Sequence, residues 1–170
     1  MKNIAIDELN HFEFHDAQLK KMEFLNGNMV WYLSDLNATT QNTQNDFNKD
    51  MCIKEAEIIF EDFNIEKIVF SAYSIYDSNN VLIKHSEART TDSKEYDNIL
   101  RNTLNTYCYL LGMEELPDID GKTHLACFDI DSGTGNYYLT LSFTKSIVQW
   151  DEYVGYAWYE NEKYKKNDTY

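Results

Sequence analysis

The chain has 170 residues, a length that suits one domain, and 43% of them are hydrophobic, enough for a real core. Asp and Glu number 29 against 15 Lys and Arg, so the formal net charge is −14. That charge repels nucleic-acid phosphates and anionic lipid headgroups, so we expect neither a nucleic-acid nor a membrane partner. It speeds association with a cationic partner instead.

The cysteine pattern and the start of the chain give an expectation for the compartment. Cys52, Cys108 and Cys127 are odd in number and widely spaced, and no CxxC pair exists. Neither a zinc ribbon nor a redox motif is therefore indicated. Residues 1–10 lack a basic segment followed by an apolar one, so no signal peptide is predicted, and we expect a cytoplasmic protein with reduced thiols.

The first third of the chain reads as strands. Residues 12–25 alternate apolar and polar with a one-residue slip, which predicts two strand pieces and a bulge. Asn26-Gly27 is a strong hairpin signal and leads into a strand at 29–36. Residues 37–50 are polar and predict an exposed loop.

The middle of the chain combines strands with one helix. Residues 54–61 alternate as a half-buried strand, and a hairpin is expected from 65–76 and 81–85. Asp92 is a candidate helix cap, with apolar residues at helical spacing up to Gly112. We predict one long amphipathic helix over 92–112 that covers the sheet.

The last third returns to strands. Residues 126–130 and 137–143 alternate cleanly, and 148–150 should pair with 154–159. Residues 160–170 are charged and predict a frayed tail. The whole chain, 1–170, is expected to form a single mainly β domain, an antiparallel sandwich or curved sheet, with α+β as the alternative.

Catalytic signatures are missing from the sequence. It contains no G-x-S-x-G, no Walker loop and no G-x-G-x-x-G, so we expect no cofactor and do not favour an enzyme. A metal-dependent enzyme remains an alternative if His11, His15 and Asp16 share a face of an extended segment.

The densest aromatic cluster lies near the C-terminus and is the candidate binding site. Aromatic rings beside carboxylates anchor protein partners or stack on sugars, although they can also complete a core. The cluster comprises Trp150, Asp151, Glu152, Tyr153, Tyr156, Trp158 and Tyr159.

The run Phe12-Glu13-Phe14-His15-Asp16-Ala17-Gln18-Leu19, followed by a hairpin, resembles small bacterial β-rich proteins of uncharacterised function that open with F-H-D-[SA]. Some such proteins resemble immunity proteins encoded near toxin genes. The resemblance implies a non-enzymatic binding protein, an immunity-type inhibitor of a basic toxin or a binder of another basic protein. A small-molecule or carbohydrate-binding β-domain stays open as the alternative, and the oligomeric state stays open too.

Overall fold

A computed structural model describes residues 1–118 and 120–161. Strands account for 56% of the structure and helical turns for 11%, which confirms the prediction of a mainly β, antiparallel fold. One α-helix, α1 (Tyr96–Thr103), is described. The described strands are β1 (Asn3–Ile6), β2 (Phe12–Glu13), β3 (Ala17–Leu25), β4 (Asn28–Ala38), β5 (Met51–Glu61), β6 (Asn64–Phe70), β7 (Tyr73–Tyr76), β8 (Leu82–Ser86), β9 (Arg89–Thr90), β10 (Cys108–Leu116), β11 (His124–Ser132), β12 (Tyr137–Phe143), β13 (Lys145–Trp150) and β14 (Tyr153–Tyr156).

Twelve of these strands form one sheet, and ten of the twelve follow the order β1-β13-β5-β4-β3-β10-β11-β12-β6-β9. Strand β2 pairs with β4 beside β3, β14 pairs with β5 beside β13, and β7 pairs with β8 as a separate two-stranded sheet. The two halves of the large sheet meet at a short joint, where Gln18 and Ala17 of β3 pair with Tyr109 and Leu110 of β10.

The large sheet curves over on itself and encloses an aromatic core. Phe128 of β11 lies 4.7 Å from the ring of Trp31 on β4 and 5.7 Å from the ring of Phe60 on β5. Four strand-to-strand steps separate β5 from β11, on the order of 19 Å in a flat sheet. The ring contacts are therefore possible only because the two halves face each other, which agrees with the predicted curved sheet.

The first hairpin forms as the sequence predicts. Asn26 and Gly27 have φ of 53° and 85°, and Leu25 pairs with Asn28 across the turn. Two left-handed residues match the right-handed twist of the flanking strands. The predicted slip is a register shift between Leu19 and Lys21.

The predicted long helix over 92–112 is wrong in its second half. Helix α1 ends at Thr103, and the chain re-enters the sheet as β10, with Gly112 at a register shift instead of a helix end. The spacing of Leu104, Tyr107, Cys108 and Leu111 suits a helix, whereas buried Cys108 and Leu110 on either side of exposed Tyr109 show the period-two alternation of a strand. Pairing with β11 decides between helix and strand, because it satisfies the backbone hydrogen bonds of β10 and buries one face of that strand. None of the described helices is long and apolar enough to cross a membrane.

Two other predicted strand pairs are also corrected. Strands β13 and β14 do not pair with each other, because both run along the same edge of β5, with Trp150 opposite Ala56 and Tyr153 opposite Ile53. In the predicted hairpin over 65–76 and 81–85, only β7 turns back onto β8, while β6 joins the large sheet beside β12. Residues 162–170 of the predicted tail lie outside the described residues, and Trp158–Glu160 forms a 3-10 turn.

We expect Phe128→Ala to lower the free energy of unfolding by ~3–5 kcal/mol, because it leaves a cavity among Phe14, Trp31 and Phe60. Phe24→Ala is the matched control, since Phe24 is 46% exposed and stacks only at the surface on Phe63. Urea unfolding followed by far-UV circular dichroism measures both variants. Equal losses would contradict the central position of Phe128.

Candidate functional site

The C-terminal aromatic cluster divides between the core and the surface. Trp150, predicted as a binding residue, is fully buried and packs edge-on against Phe12 at 5.7 Å between ring centroids. Its inward orientation follows from its position opposite Ala56 in the sheet. Tyr156 and Trp158 are 52% and 46% exposed, so these two rings lie at the surface.

Tyr153 and Tyr159 are half-buried and hold the loop over 39–50 against the end of the sheet. The Tyr153 hydroxyl donates to the Gln44 carbonyl at 3.1 Å, and the Tyr159 hydroxyl donates to Asp50 Oδ2 at 2.9 Å. Burial raises the pKa of Tyr153 to about 12, and burial together with Asp50 raises the pKa of Tyr159. Both phenols therefore stay protonated at neutral pH and position the surface around them.

The loop predicted over 37–50 begins in the structure after Ala38, the last residue of β4, and one asparagine organises it. Asn45 is buried, and its Nδ2 donates to the carbonyls of Ala38, Thr39 and Lys49, while its Oδ1 accepts from the Phe47 amide. The loop is therefore built around the hydrogen bonds of a buried side chain, although half of the residues over 39–50 are exposed.

A cleft of about 440 Å³ brings together two groups of residues that are far apart in the sequence. Its walls carry the exposed rings of Tyr156 and Trp158 on one side and His15 and Asp16 on the other. We call it the acidic cleft, and its lining residues are His15, Asp16, Asp35, Asn37, Cys52, Val154, Gly155, Tyr156, Trp158 and Asn161.

The floor of the acidic cleft is a row of residues across adjacent strands. Asn37 of β4 lies opposite Cys52 of β5, which in turn lies opposite Gly155 of β14. Asn37 is 1% exposed, and its Oδ1 has no hydrogen-bond partner among the described residues. An unsatisfied buried acceptor costs ~1–3 kcal/mol and is uncommon enough in native structures to need an explanation.

The walls of the acidic cleft also present acceptors. Asp16 and Asp35 have φ of 68° and 65°, a left-handed conformation that short polar side chains tolerate, and both are exposed. His15 Nδ1 donates to the Leu111 carbonyl at 3.0 Å, and its Nε2 lies 3.7 Å from Asp16 Oδ2. No lysine or arginine is among the described lining residues, so the cleft suits a cation.

Tyr156 already receives a cation on its ring. Lys49 Nζ, from the organised loop, lies 4.8 Å from the ring centroid. This distance is within the ~6 Å range of a cation–π interaction. This contact places an internal positive charge beside the rim of the acidic cleft.

The alternative metal site over His11, His15 and Asp16 is not assembled. His11 Nδ1 pairs with Glu8 Oε2 at 3.2 Å, whereas His15 Nδ1 is used by the Leu111 carbonyl. Among the residues that the structure describes, no group of three or more His, Cys, Asp or Glu side chains could hold a metal ion.

Asp151 and Glu152 are exposed but do not line the acidic cleft, and Asp151 accepts from the Lys2 amide at 3.0 Å.

The surroundings of Cys52 disfavour the thiolate form that a nucleophilic cysteine needs. Burial and the neighbouring carboxylate of Asp35 raise the pKa of its thiol above the ordinary value. Reactive cysteines need the opposite shift, because the thiolate is the nucleophile.

Asp35 and Asn37 were not predicted as site residues from the sequence pattern. The apolar alternation of β4 is interrupted there, with Leu33 and then Leu36 facing the core, and the left-handed Asp35 between them reverses the phase. An acidic residue in the middle of an apolar strand pattern is the signal that points to this irregularity.

Comparisons with known proteins give no family for this chain. No protein-family model, no curated protein and no solved structure matches it.

We expect iodoacetamide to alkylate Cys52 more slowly than N-acetylcysteine at pH 8, because the raised pKa leaves less thiolate at that pH. The rate should rise as pH is raised further, and Asp35→Asn should increase it at pH 8 by removing a repelling charge. Peptide mass spectrometry separates Cys52 from Cys108 and Cys127. A Cys52 that reacts faster than the free amino acid would indicate an activated thiol instead.

Proposed function

We propose that this protein is a non-enzymatic binding protein that receives a lysine or arginine side chain of a basic protein partner in the acidic cleft. The observation that carries the proposal is the buried, unpartnered Asn37 Oδ1 on the floor of the cleft, beside Asp16 and Asp35. An immunity-type inhibitor of a basic toxin is the form of this function that the resemblance favours, which covers roughly the first 35 residues.

The donor and acceptor inventory supports a cationic side chain. Guanidinium and ammonium groups carry only donors, so they complement carboxylates and an amide carbonyl. A partner cation that enters the floor and opens access to the buried Asn37 Oδ1 would satisfy this acceptor, whose lack of a partner otherwise destabilises the fold. Trp158 adds an aromatic face at the rim, and the Tyr156 ring, which already contacts Lys49, adds apolar contact area.

The net charge of −14 supports the same proposal at long range. Complementary charge raises the encounter rate with a basic partner, and buried or aromatic contacts slow its dissociation. The carbohydrate alternative has less support, because Trp150 is buried and the described lining of the cleft is richer in acceptors than in donors.

The cleft is tested with a hexa-arginine peptide as probe, followed by tryptophan fluorescence. Trp31 and Trp150 are buried and Trp158 is exposed, so a change in emission reports on the cleft. We expect Asp16→Asn/Asp35→Asn to weaken binding by at least about tenfold, because it removes both carboxylate acceptors. The matched control is Glu114→Gln/Glu115→Gln, which removes two exposed charges outside the cleft. If both double variants weaken binding equally, binding depends only on the net charge of the protein, and the acidic cleft is not the binding site.

Asn37→Leu separates binding from stability in the same assay. It removes the unpartnered acceptor, so we expect a higher melting temperature together with weaker peptide binding. A purely structural asparagine would give a lower melting temperature and unchanged binding.

The inhibitor form predicts that a gene beside this one encodes a basic toxin, and it is tested by expressing that neighbouring protein in cells. Co-expression of the chain should restore growth, and Asp16→Asn/Asp35→Asn should remove that protection while the protein level stays unchanged. Protection that survives the double variant would place the inhibitory contact elsewhere.

A further inference from the structure

The separate two-stranded sheet of β7 and β8, which we call the arm, is the most exposed apolar feature among the described residues. Every residue of β7 is exposed, as are the first four of β8. Six large apolar side chains are 45–65% exposed, namely Tyr73, Ile75, Tyr76, Val81, Leu82 and Ile83. A lone hairpin is only marginally stable in water, so this arrangement requires a reason.

The arm has a defined shape. Asp77 Oδ1 accepts from the amides of Asn79 and Val81 at 2.8 Å each, which closes the turn. Ser74 Oγ and His85 Nδ1 lie 2.9 Å apart across the two strands. The apolar side chains are therefore presented on ordered backbone.

The charge of the arm indicates which kind of partner it can bind. Residues 73–86 of the arm carry one carboxylate, Asp77, and one ammonium, Lys84, and the Glu87 carboxylate lies 2.9 Å from His85 Nε2 at the base of the arm, in a chain of net charge −14. A basic partner would gain little electrostatic attraction at this neutral segment. A second copy of the chain can approach here without local like-charge repulsion, which the acidic remainder of the surface opposes.

We propose that two copies of this chain associate through their arms about a two-fold axis, with the β7 edges paired antiparallel in a four-stranded sheet. Within the described part of the chain β7 pairs only with β8, so its other edge is open. That edge, Tyr73–Tyr76, contains no charge and no proline, whereas β8 carries Lys84, the type of residue that protects an edge from pairing.

The exposed area of the β7 edge suits a weak, concentration-dependent dimer. Tyr73, Ile75 and Tyr76 are 45–54% exposed, and with roughly 100 Å² on each, pairing two β7 edges would bury on the order of 600 Å² of side-chain surface together with the paired backbone. This total lies in the range of weak interfaces, below about 1,200 Å². Pairing also converts a marginal hairpin into a sheet of four strands, which is stable more readily.

Sedimentation velocity from about 1 μM to about 300 μM tests the proposal on the full chain. We expect a concentration-dependent dimer that tightens as salt is added, because salt screens the repulsion between two acidic copies. Ile75→Asp places two carboxylates near the axis and should weaken the dimer by at least about 100-fold. Ile6→Asp is the matched control at a 52% exposed isoleucine on edge strand β1, and it should leave the dimer unchanged.

A sedimenting monomer at every concentration would overturn the proposal, as would a dimer that Ile6→Asp dissociates and Ile75→Asp does not. Equal melting temperatures show that both variants fold. Hydrogen exchange then locates the contact, since amides of β7 should gain protection as concentration rises, and protection confined to β8 would contradict the pairing. Binding of the hexa-arginine peptide should be the same in Ile75→Asp, because the arm and the acidic cleft share no residue.

Discussion

The packing of Phe128 against Phe14, Trp31 and Phe60 holds the two halves of the sheet face to face. Backbone pairing alone joins β3 to β10 only briefly, so side-chain burial supplies the remaining cohesion. The joint also positions the acidic cleft, because the Asp16 amide donates to the Leu110 carbonyl and His15 donates to Leu111. The site therefore depends on the curvature that the aromatic core imposes.

The acidic cleft lies where two strands depart from regular geometry. Left-handed residues at Asp16 and Asp35 turn short carboxylates toward it, while the regular pairing of Asn37 with Cys52 supplies a rigid floor. The surrounding loop is held by Asn45 and by the hydroxyl of Tyr159 on Asp50. A rigid scaffold that carries irregular, functional segments is the usual division of roles in binding proteins.

The two proposed surfaces differ in their physics. Recognition at the acidic cleft is electrostatic and should weaken as salt is added, whereas association through the neutral arm should strengthen. Salt therefore separates the two contributions within one protein. Together they describe an acidic dimer that would present two clefts to its partners.

Sequence alone determined the mainly β class, the Asn26-Gly27 hairpin and the strand over 137–143, because turn chemistry and period-two alternation are local properties. It also singled out Tyr156, Trp158, His15 and Asp16, but as separate groups. Tertiary structure decided that 108–116 is a strand, that Trp150 belongs to the core, and that Asp35 and Asn37 complete the cleft. Each of these outcomes depends on which strand pairs with the segment in question. The local pattern of apolar residues does not reveal that long-range pairing.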